Sequence, residues 1–306
     1  MSRTATEARH GDAEGLDARP SHEILTLLSQ GQQSAAKAVD AAIPAIEDAA
    51  TLAAEALRSG GKLVYVGAGS SGLMAMADAL ELPGTYGIGK KQIMILLAGG
   101  VASLSDLAGS PEDDVEQARR DAAAIAAGDC VLCVSASGST PYAVAVAQEA
   151  RQRGAKVVAL ANNPGAKLFS HTDVSILLRT PPEVIAGSTR MGAGTAQKIA
   201  FNMLSTLVGV KLGHVHDGHM VNLHPDNEKL RIRAARMVSE IAGVDMDEAS
   251  RHLDEADGAV KVAVLLARGA ADAAAARDLL ARSGEALRPA LAELEQTGST
   301  GFHKRA

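Results

Sequence analysis

Two hydroxyl-rich glycine turns stand behind apolar strands, and two glutamates follow the first of them. The first turn, Gly67-Ala68-Gly69-Ser70-Ser71-Gly72, is reached from Leu63-Val64-Tyr65-Val66. The second, Ser135-Ala136-Ser137-Gly138-Ser139-Thr140, is reached from Val131-Leu132-Cys133-Val134. A strand that runs into a Gly/Ser turn and then a helix aims backbone N–H groups and hydroxyls at one point, and the helix dipole adds positive potential there. Gly69, Ser70 and Ser71, with Ser135, Ser137, Gly138, Ser139 and Thr140, are therefore the residues that would hold an anion. Two such turns in one parallel sheet suit a phosphorylated small molecule. Strand-to-helix packing alone would explain one glycine-rich bend, but not hydroxyls in two.

Glu81 and Glu112 supply acid/base groups. Glu81 lies in Asp78-Ala79-Leu80-Glu81-Leu82-Pro83-Gly84-Thr85, at the expected C-terminal end of the helix that begins at the first turn. The negative end of the helix dipole disfavours a carboxylate there and so favours a proton donor. Glu112 lies in Ser110-Pro111-Glu112-Asp113-Asp114, which reads as the first turn of a helix with Ser110 as N-cap and Pro111 at the first helical position. Acids in such a turn also serve helix stability alone, and a single Glu at a helix end is ordinarily a solvated one.

Three other patterns carry chemistry. Gly67-x-Gly69-x-x-Gly72 spells the dinucleotide fingerprint, which asks for an acid at the end of the second strand to hold a ribose hydroxyl. That strand ends Leu96-Leu97-Ala98-Gly99-Gly100, so a nicotinamide site is not expected. His214, His216, His219 and His224 form a loop cluster without a cysteine. Contact with substrate or a partner subunit is expected of them rather than a metal. Ser188, Thr189 and Arg190 precede a long helix, where they would cap it or touch a ligand.

The elements that must position these groups follow from the hydrophobic pattern. Strands are expected at 62–66, 92–97, 129–134, 156–161 and 174–179, with helices between them at about 70–81, 112–127 and 140–153. Continuous apolar strands separated by helices indicate a parallel sheet covered on both faces, whose ligands bind beyond the carboxyl ends of the strands. Both Gly/Ser turns lie at such ends. The N-terminal residues to about 21 read as a polar arm. Ser21 reads as the N-cap of a helix to about Ser29, and an Ala-rich helical stretch from Gln32 to Arg58 stops at Gly60-Gly61. Helices follow at about 193–212 and 226–242, then three short ones over 246–295 and a frayed tail from Gly298. The expected class is α/β, a three-layer αβα sandwich with a parallel sheet plus a small C-terminal helical unit. Its expected divisions are 1–58 for the arm and first helices, 59–223 for the domain that binds the phosphorylated ligand and 224–306 for the helical unit and tail.

The 306 residues carry a formal charge of −6 with no Trp, three Phe and three Tyr, which argues against nucleic acid as a partner. At 47% apolar residues a sizeable core can be buried, yet no apolar run reaches the roughly 18 residues that span a bilayer. The polar N-terminus has no hydrophobic signal segment, so a cytoplasmic protein is expected. Cys130 and Cys133 are three apart on one strand and point to opposite faces, which suits two buried thiols rather than a metal or redox pair.

Longer motifs join these features. They are Thr6-Glu7, VGAGSSG at 66–72, DALELPGT at 78–85, LLAGG at 96–100, EDD at 112–114 and SASGSTPY at 135–142. NNPG at 162–165, PEVIAGSTR at 182–190, AGTAQK at 193–198, NMLST at 202–206 and NEKLRIRAARMV at 227–238 follow. Through them the chain resembles the N-acetylmuramic acid 6-phosphate etherase family of the sugar isomerase (SIS) superfamily. The resemblance implies a SIS-type sandwich acting as a homodimer, without metal or nucleotide cofactor. It implies cleavage of the lactyl ether of a 6-phosphorylated amino sugar, with Glu81 matching the proton donor and Glu112 the second catalytic acid. The sugar phosphate would be held by Ser70, Ser71, Ser135, Ser137 and Thr140.

The chain departs from the family's pattern at Leu73 and Ser139, where members usually carry Arg, and at Gly192, where they often carry Lys; His10 stands for an Asn. Fewer cations suit a substrate without the lactyl acid. Other readings are another SIS isomerase or deaminase, which shares the C2 deprotonation, and a noncatalytic sugar-phosphate sensor resembling the glucokinase regulatory protein.

Overall fold

The computed structural model describes residues 4–105 and 110–302. Five strands, β1 (Leu63–Gly67), β2 (Ile93–Leu97), β3 (Cys130–Ser135), β4 (Lys156–Ala161) and β5 (Val174–Leu177), form one sheet. All the pairings are parallel, in the order β2-β1-β3-β4-β5. The chain reverses its direction of travel across the sheet between β1 and β3, and in doubly wound sheets ligands bind at that point.

Alternation along the strands builds two cores. Val64, Val66, Val131, Cys133, Val157 and Ala159 face α4 (Val115–Ala122) and α5 (Pro141–Gln152), meeting Ala118, Ala122 and Val146. The opposite face turns Tyr65 toward α3 (Gly69–Tyr86) and α6 (Gly192–Lys211), where Tyr65 and Phe201 have ring centroids 5.7 Å apart. Helix α2 (Ile43–Arg58) packs on β1, β3 and β5. The sheet is therefore the middle layer of three. The strand expectations hold to within two residues.

The helices before the sheet required corrections. Helix α1 runs from Ser21 to Lys37, with Pro20 and not Ser21 at the N-cap position. The stretch from Gln32 to Arg58 is not one helix. It breaks at a 3-10 turn, Asp40–Ala42, and restarts as α2 with Pro44 in its first turn, where a missing N–H costs nothing. The helix expected from 112 begins later: Ser110–Asp113 is a 3-10 turn and Asp114 caps α4, accepting from Gln117 N at 2.7 Å. Ser110 is thus not the cap. Asp114 presents the carboxylate that the first turn of α4 needs.

The chain divides into two compact units, Met1–Leu80 with Lys91–Leu207 and Glu81–Lys90 with Val208–Ala306. The second contains α7 (Glu228–Ala242), α8 (Met246–Glu255), α9 (Val260–Ala267), α10 (Ala273–Arg282) and α11 (Leu287–Phe302) around an Ala/Val/Leu core. Four helices follow α7, where three were expected. Residues 298–302 continue α11 instead of forming a tail, and 303–306 lie outside the described residues. No helix among the described residues is long and apolar enough to cross a membrane.

Candidate active site

Both hydroxyl turns sit at the carboxyl ends of neighbouring strands, β1 and β3, where Val66 pairs with Cys133. The first turn opens α3, whose first helical backbone bond runs from Gly72 N to the Ala68 carbonyl at 2.9 Å. The N–H groups of Gly69, Ser70 and Ser71 therefore lack intrahelical acceptors, and both serine side chains are half-buried beside them.

The second turn is a hydrogen-bonded cluster of hydroxyls centred on Ser135. Ser135 Oγ is 2.8 Å from Thr140 Oγ1 and 3.2 Å from Ser137 Oγ, and it accepts from Gly138 N at 3.0 Å. Ser139 N donates to Ser137 Oγ at 3.2 Å, and the Ser139 side chain is exposed. Thr140 holds the N-cap position of α5 but its hydroxyl turns to Ser135 and makes no cap bond. The first N–H groups of α5 are thereby left for another acceptor. Gly138 takes φ +71°, and a Cβ there would run into Ala166, so the bend requires glycine on two counts.

Glu112 reaches the first turn. Its Oε1 lies 2.7 Å from the point a Cβ on Gly69 would occupy, and Gly69 has φ +51°. Burial, then the neighbouring Asp113, raises the Glu112 carboxyl above its ordinary range. The segment carrying it is fixed from behind. Gln117 Oε1 accepts from Gly99 N at 3.0 Å, tying α4 to the end of β2, and Gln117 Nε2 donates to Asp121 at 3.2 Å. Asp121 also accepts from Tyr142 OH at 2.7 Å, in the first turn of α5. The first unit thus places Ser70, Ser71, the Ser135–Thr140 hydroxyl cluster and Glu112 beyond the carboxyl ends of the inner strands β1 and β3.

Glu81 belongs to the second unit and is exposed on α3, which continues to Tyr86, so it is not the terminal residue that the sequence suggested. Ser188, Thr189 and Arg190 precede α6, but the cap comes from elsewhere. Glu183, 7% exposed, accepts from Gly192 N and Ala193 N, each at 2.9 Å. Thr189 contributes only its carbonyl, to Gly194 N at 2.9 Å. Gly192 packs closely, since a Cβ there would come 3.1 Å from Glu183 Oε2 and 3.2 Å from Ala35 Cβ.

The histidines do not form one centre. His216 and His219 face each other through backbone bonds, His219 Nε2 lies 3.4 Å from Glu240, and His224 is exposed. Among the described residues no three His, Cys, Asp or Glu side chains gather as metal ligands. Cys130 and Cys133 are buried free thiols, and burial pushes Cys130 up to about 12 and Cys133 higher still.

Two groups of supporting residues were not identified from sequence. Asp78 is buried and accepts from Tyr65 OH at 2.8 Å, Asn202 Nδ2 at 2.8 Å and Ser205 Oγ at 2.9 Å, joining β1, α3 and α6. Asn163 donates to the Ser137 carbonyl at 3.3 Å. A polar residue within an otherwise apolar helix face was the available signal for Asp78. For Asn163 it was the Asn-Asn-Pro-Gly spelling.

The SIS domain family model matches residues 28–162. A protein named N-acetylmuramic acid 6-phosphate etherase from Symbiobacterium thermophilum is 43% identical over 266 residues, 87% of this chain and 89% of that protein. One of the same name from Deinococcus radiodurans is 40% identical over 297 residues, 96% of this chain and 97% of that one. Among solved structures, a putative phosphosugar isomerase involved in capsule formation from Bacteroides fragilis is 25% identical, covering 66% of this chain and 96% of its own at a TM-score of 0.49. With identity at this level across nearly its whole length, the chain belongs to the N-acetylmuramic acid 6-phosphate etherase family.

Proposed function

We propose that this protein is a carbon–oxygen lyase that converts N-acetylmuramic acid 6-phosphate to N-acetylglucosamine 6-phosphate and D-lactate. The observation that carries the reading is the Glu112 carboxylate lying against the Gly69 turn, beside two sets of phosphate-holding hydroxyls and open helix N–H groups. Relatives of that name share about 40% of their residues with it over most of the chain.

The chemistry uses each part. The two turns hold the 6-phosphate, so that remote binding energy orients the far end of the opened sugar. C2 of the aldehyde form is acidified by its carbonyl, and Glu112 as a carboxylate takes its proton. The C3–O bond breaks with its electron pair leaving on the lactyl oxygen, which Glu81 as an acid protonates. Water then adds across the double bond, its oxygen to C3 and a proton to C2. Glu112 in its raised range is a stronger base than an ordinary carboxylate, and elimination requires one group ionised and the other protonated.

Two finer elements complete the reading. The protein works as a homodimer, the state that its family resemblance implies. It works in the cytoplasm, where the phosphorylated sugar is retained.

Release of D-lactate from N-acetylmuramic acid 6-phosphate, with solvent deuterium entering C2, tests the proposal. Exchange at C2 without lactate release would point to an isomerase or deaminase, and neither would point to a sensor. A substrate lacking the lactyl acid is the second reading, favoured by the neutral Leu73 and Ser139 at positions where the family pattern is cationic. Rapid lactate release would exclude it.

A further inference from the structure

The N-terminal arm reaches the second hydroxyl turn. Thr6, only 4% exposed although it lies near the start of the chain, donates its backbone N–H to Asn163 Oδ1 at 3.3 Å. Its Oγ1 accepts from Asn163 Nδ2 at 2.8 Å. The other proton of that amide goes to the Ser137 carbonyl at 3.3 Å. Both Asn163 amide protons and its carbonyl oxygen are therefore engaged between the arm and the turn.

The Ser137 carbonyl and the Gly138 N–H are two edges of one planar peptide. Asn163 holds the first edge, and Ser135 Oγ accepts from the second at 3.0 Å. Ser135 Oγ is in turn bonded to the hydroxyls of Thr140 and Ser137. A continuous chain of hydrogen bonds thus runs from Thr6 through Asn163 and one peptide plane into the hydroxyl cluster. The arm is held again beyond this contact, where Leu16 packs with Leu27 and Val184.

We infer that Thr6 and Asn163 are positioning residues for the phosphate-holding turn, so that the N-terminal arm sets how tightly a sugar 6-phosphate is bound. The inference rests on the phosphate-site reading above and adds to it a segment more than 150 residues away in sequence.

Full-length Thr6→Val and Thr6→Ser variants test it, with N-acetylglucosamine 6-phosphate as the probe. Valine keeps the volume but leaves the Asn163 N–H without its acceptor, and serine restores the acceptor. Thr6→Val is expected to raise the probe's Kd and the substrate's KM about five- to tenfold with kcat within about twofold, and Thr6→Ser to return both toward wild type. Wild-type Kd and KM in Thr6→Val would overturn the inference. So would equal losses in both variants.

Hydrogen exchange on the wild-type protein needs no variant to fold. Saturating probe should slow exchange at Thr6 together with Gly138 and Ser139, since coupling between sites is reciprocal. Protection of the turn with an unchanged arm would sink the inference and leave the phosphate site standing. Failure of the wild-type protein to bind the probe at all would remove the phosphate site, and the inference with it.

Discussion

Glu112 Oε1 stands 2.7 Å from the position a β-carbon on Gly69 would take, too close for a real β-carbon to be accommodated without a shift. A methyl group at Gly69 would both strain a φ of +51° and displace the carboxylate from the turn. Gly69→Ala should cost about 1 kcal/mol of stability. It should also slow deuterium entry at C2 about tenfold or more, the scale set by an ångström-level misplacement. Thermal melting and the exchange rate separate these effects. Wild-type exchange in this variant would exclude Glu112 as the base.

Glu112→Gln removes the base without changing the shape of the side chain, so C2 exchange should fall about a hundred- to ten-thousandfold while binding of N-acetylglucosamine 6-phosphate persists. Burial and Asp113 raise the Glu112 carboxyl, and the working form is the ionised one. The wild-type kcat/KM must therefore fall on the acid side, with a midpoint above the ordinary carboxylate range. Removing Asp113 as Asp113→Asn takes away the second cause and should move that midpoint down. A pH–rate profile checks both. No acid limb, or one unmoved by Asp113→Asn and centred at an ordinary carboxylate value, would count against this role.

The sheet and both turns were legible because parallel strands buried on two faces read as uninterrupted apolar runs, as in Val131–Val134 and Val157–Ala161. The end of α2 was legible because Gly60 takes φ +82°. What failed depended on competition between neighbours. Ser110 and Asp114 both spell an N-cap, and only coordinates show that Ser110–Asp113 winds as a 3-10 turn while Asp114 caps α4. The far end of α11 was missed because Gly298 and Gly301 lower helix propensity where the helix nonetheless continues, and its start was missed because the left-handed turn at Gly284-Glu285 splits what read as one helix from about 271. The polar pairs behind the site, Thr6 with Asn163 and Asp78 with Asn202, join residues 157 and 124 positions apart, beyond the reach of any local pattern.

Asp78 is the acceptor for three donors in a buried network. Asp78→Ala leaves the Tyr65 hydroxyl, the Asn202 amide and the Ser205 hydroxyl short of an acceptor and should cost about 2–4 kcal/mol. Asp78→Asn keeps one acceptor oxygen and offers its amide to the Tyr65 oxygen, which can accept, so about 1 kcal/mol is expected. Denaturant titration of both variants measures the difference. Equal costs would mean that shape, not hydrogen bonding, is what Asp78 supplies.

His214 gives the second unit a pH dependence of its own. Burial, then the charge of Lys261, lowers its imidazole to about 4, and a hydrogen bond with the Tyr86 backbone opposes the shift only in part. Lys261 is itself buried, its Nζ donating to the Glu285 carbonyl at 2.8 Å with the Glu285 carboxylate 3.7 Å away. An unfolded histidine takes up its proton near pH 6.5, so in the window between that value and 4 the unfolded chain binds the proton and the folded one does not. Stability from this group is therefore complete above pH 6.5 and is lost as pH falls toward 4. The loss amounts to about 2–3 kcal/mol once partial solvent access is allowed for. His214→Gln cannot take up that proton, and its unfolding free energy should be flatter across the window even if lower throughout. Denaturant titrations of both proteins at pH values spanning it measure the slopes. Parallel slopes would place the acid sensitivity of this unit elsewhere.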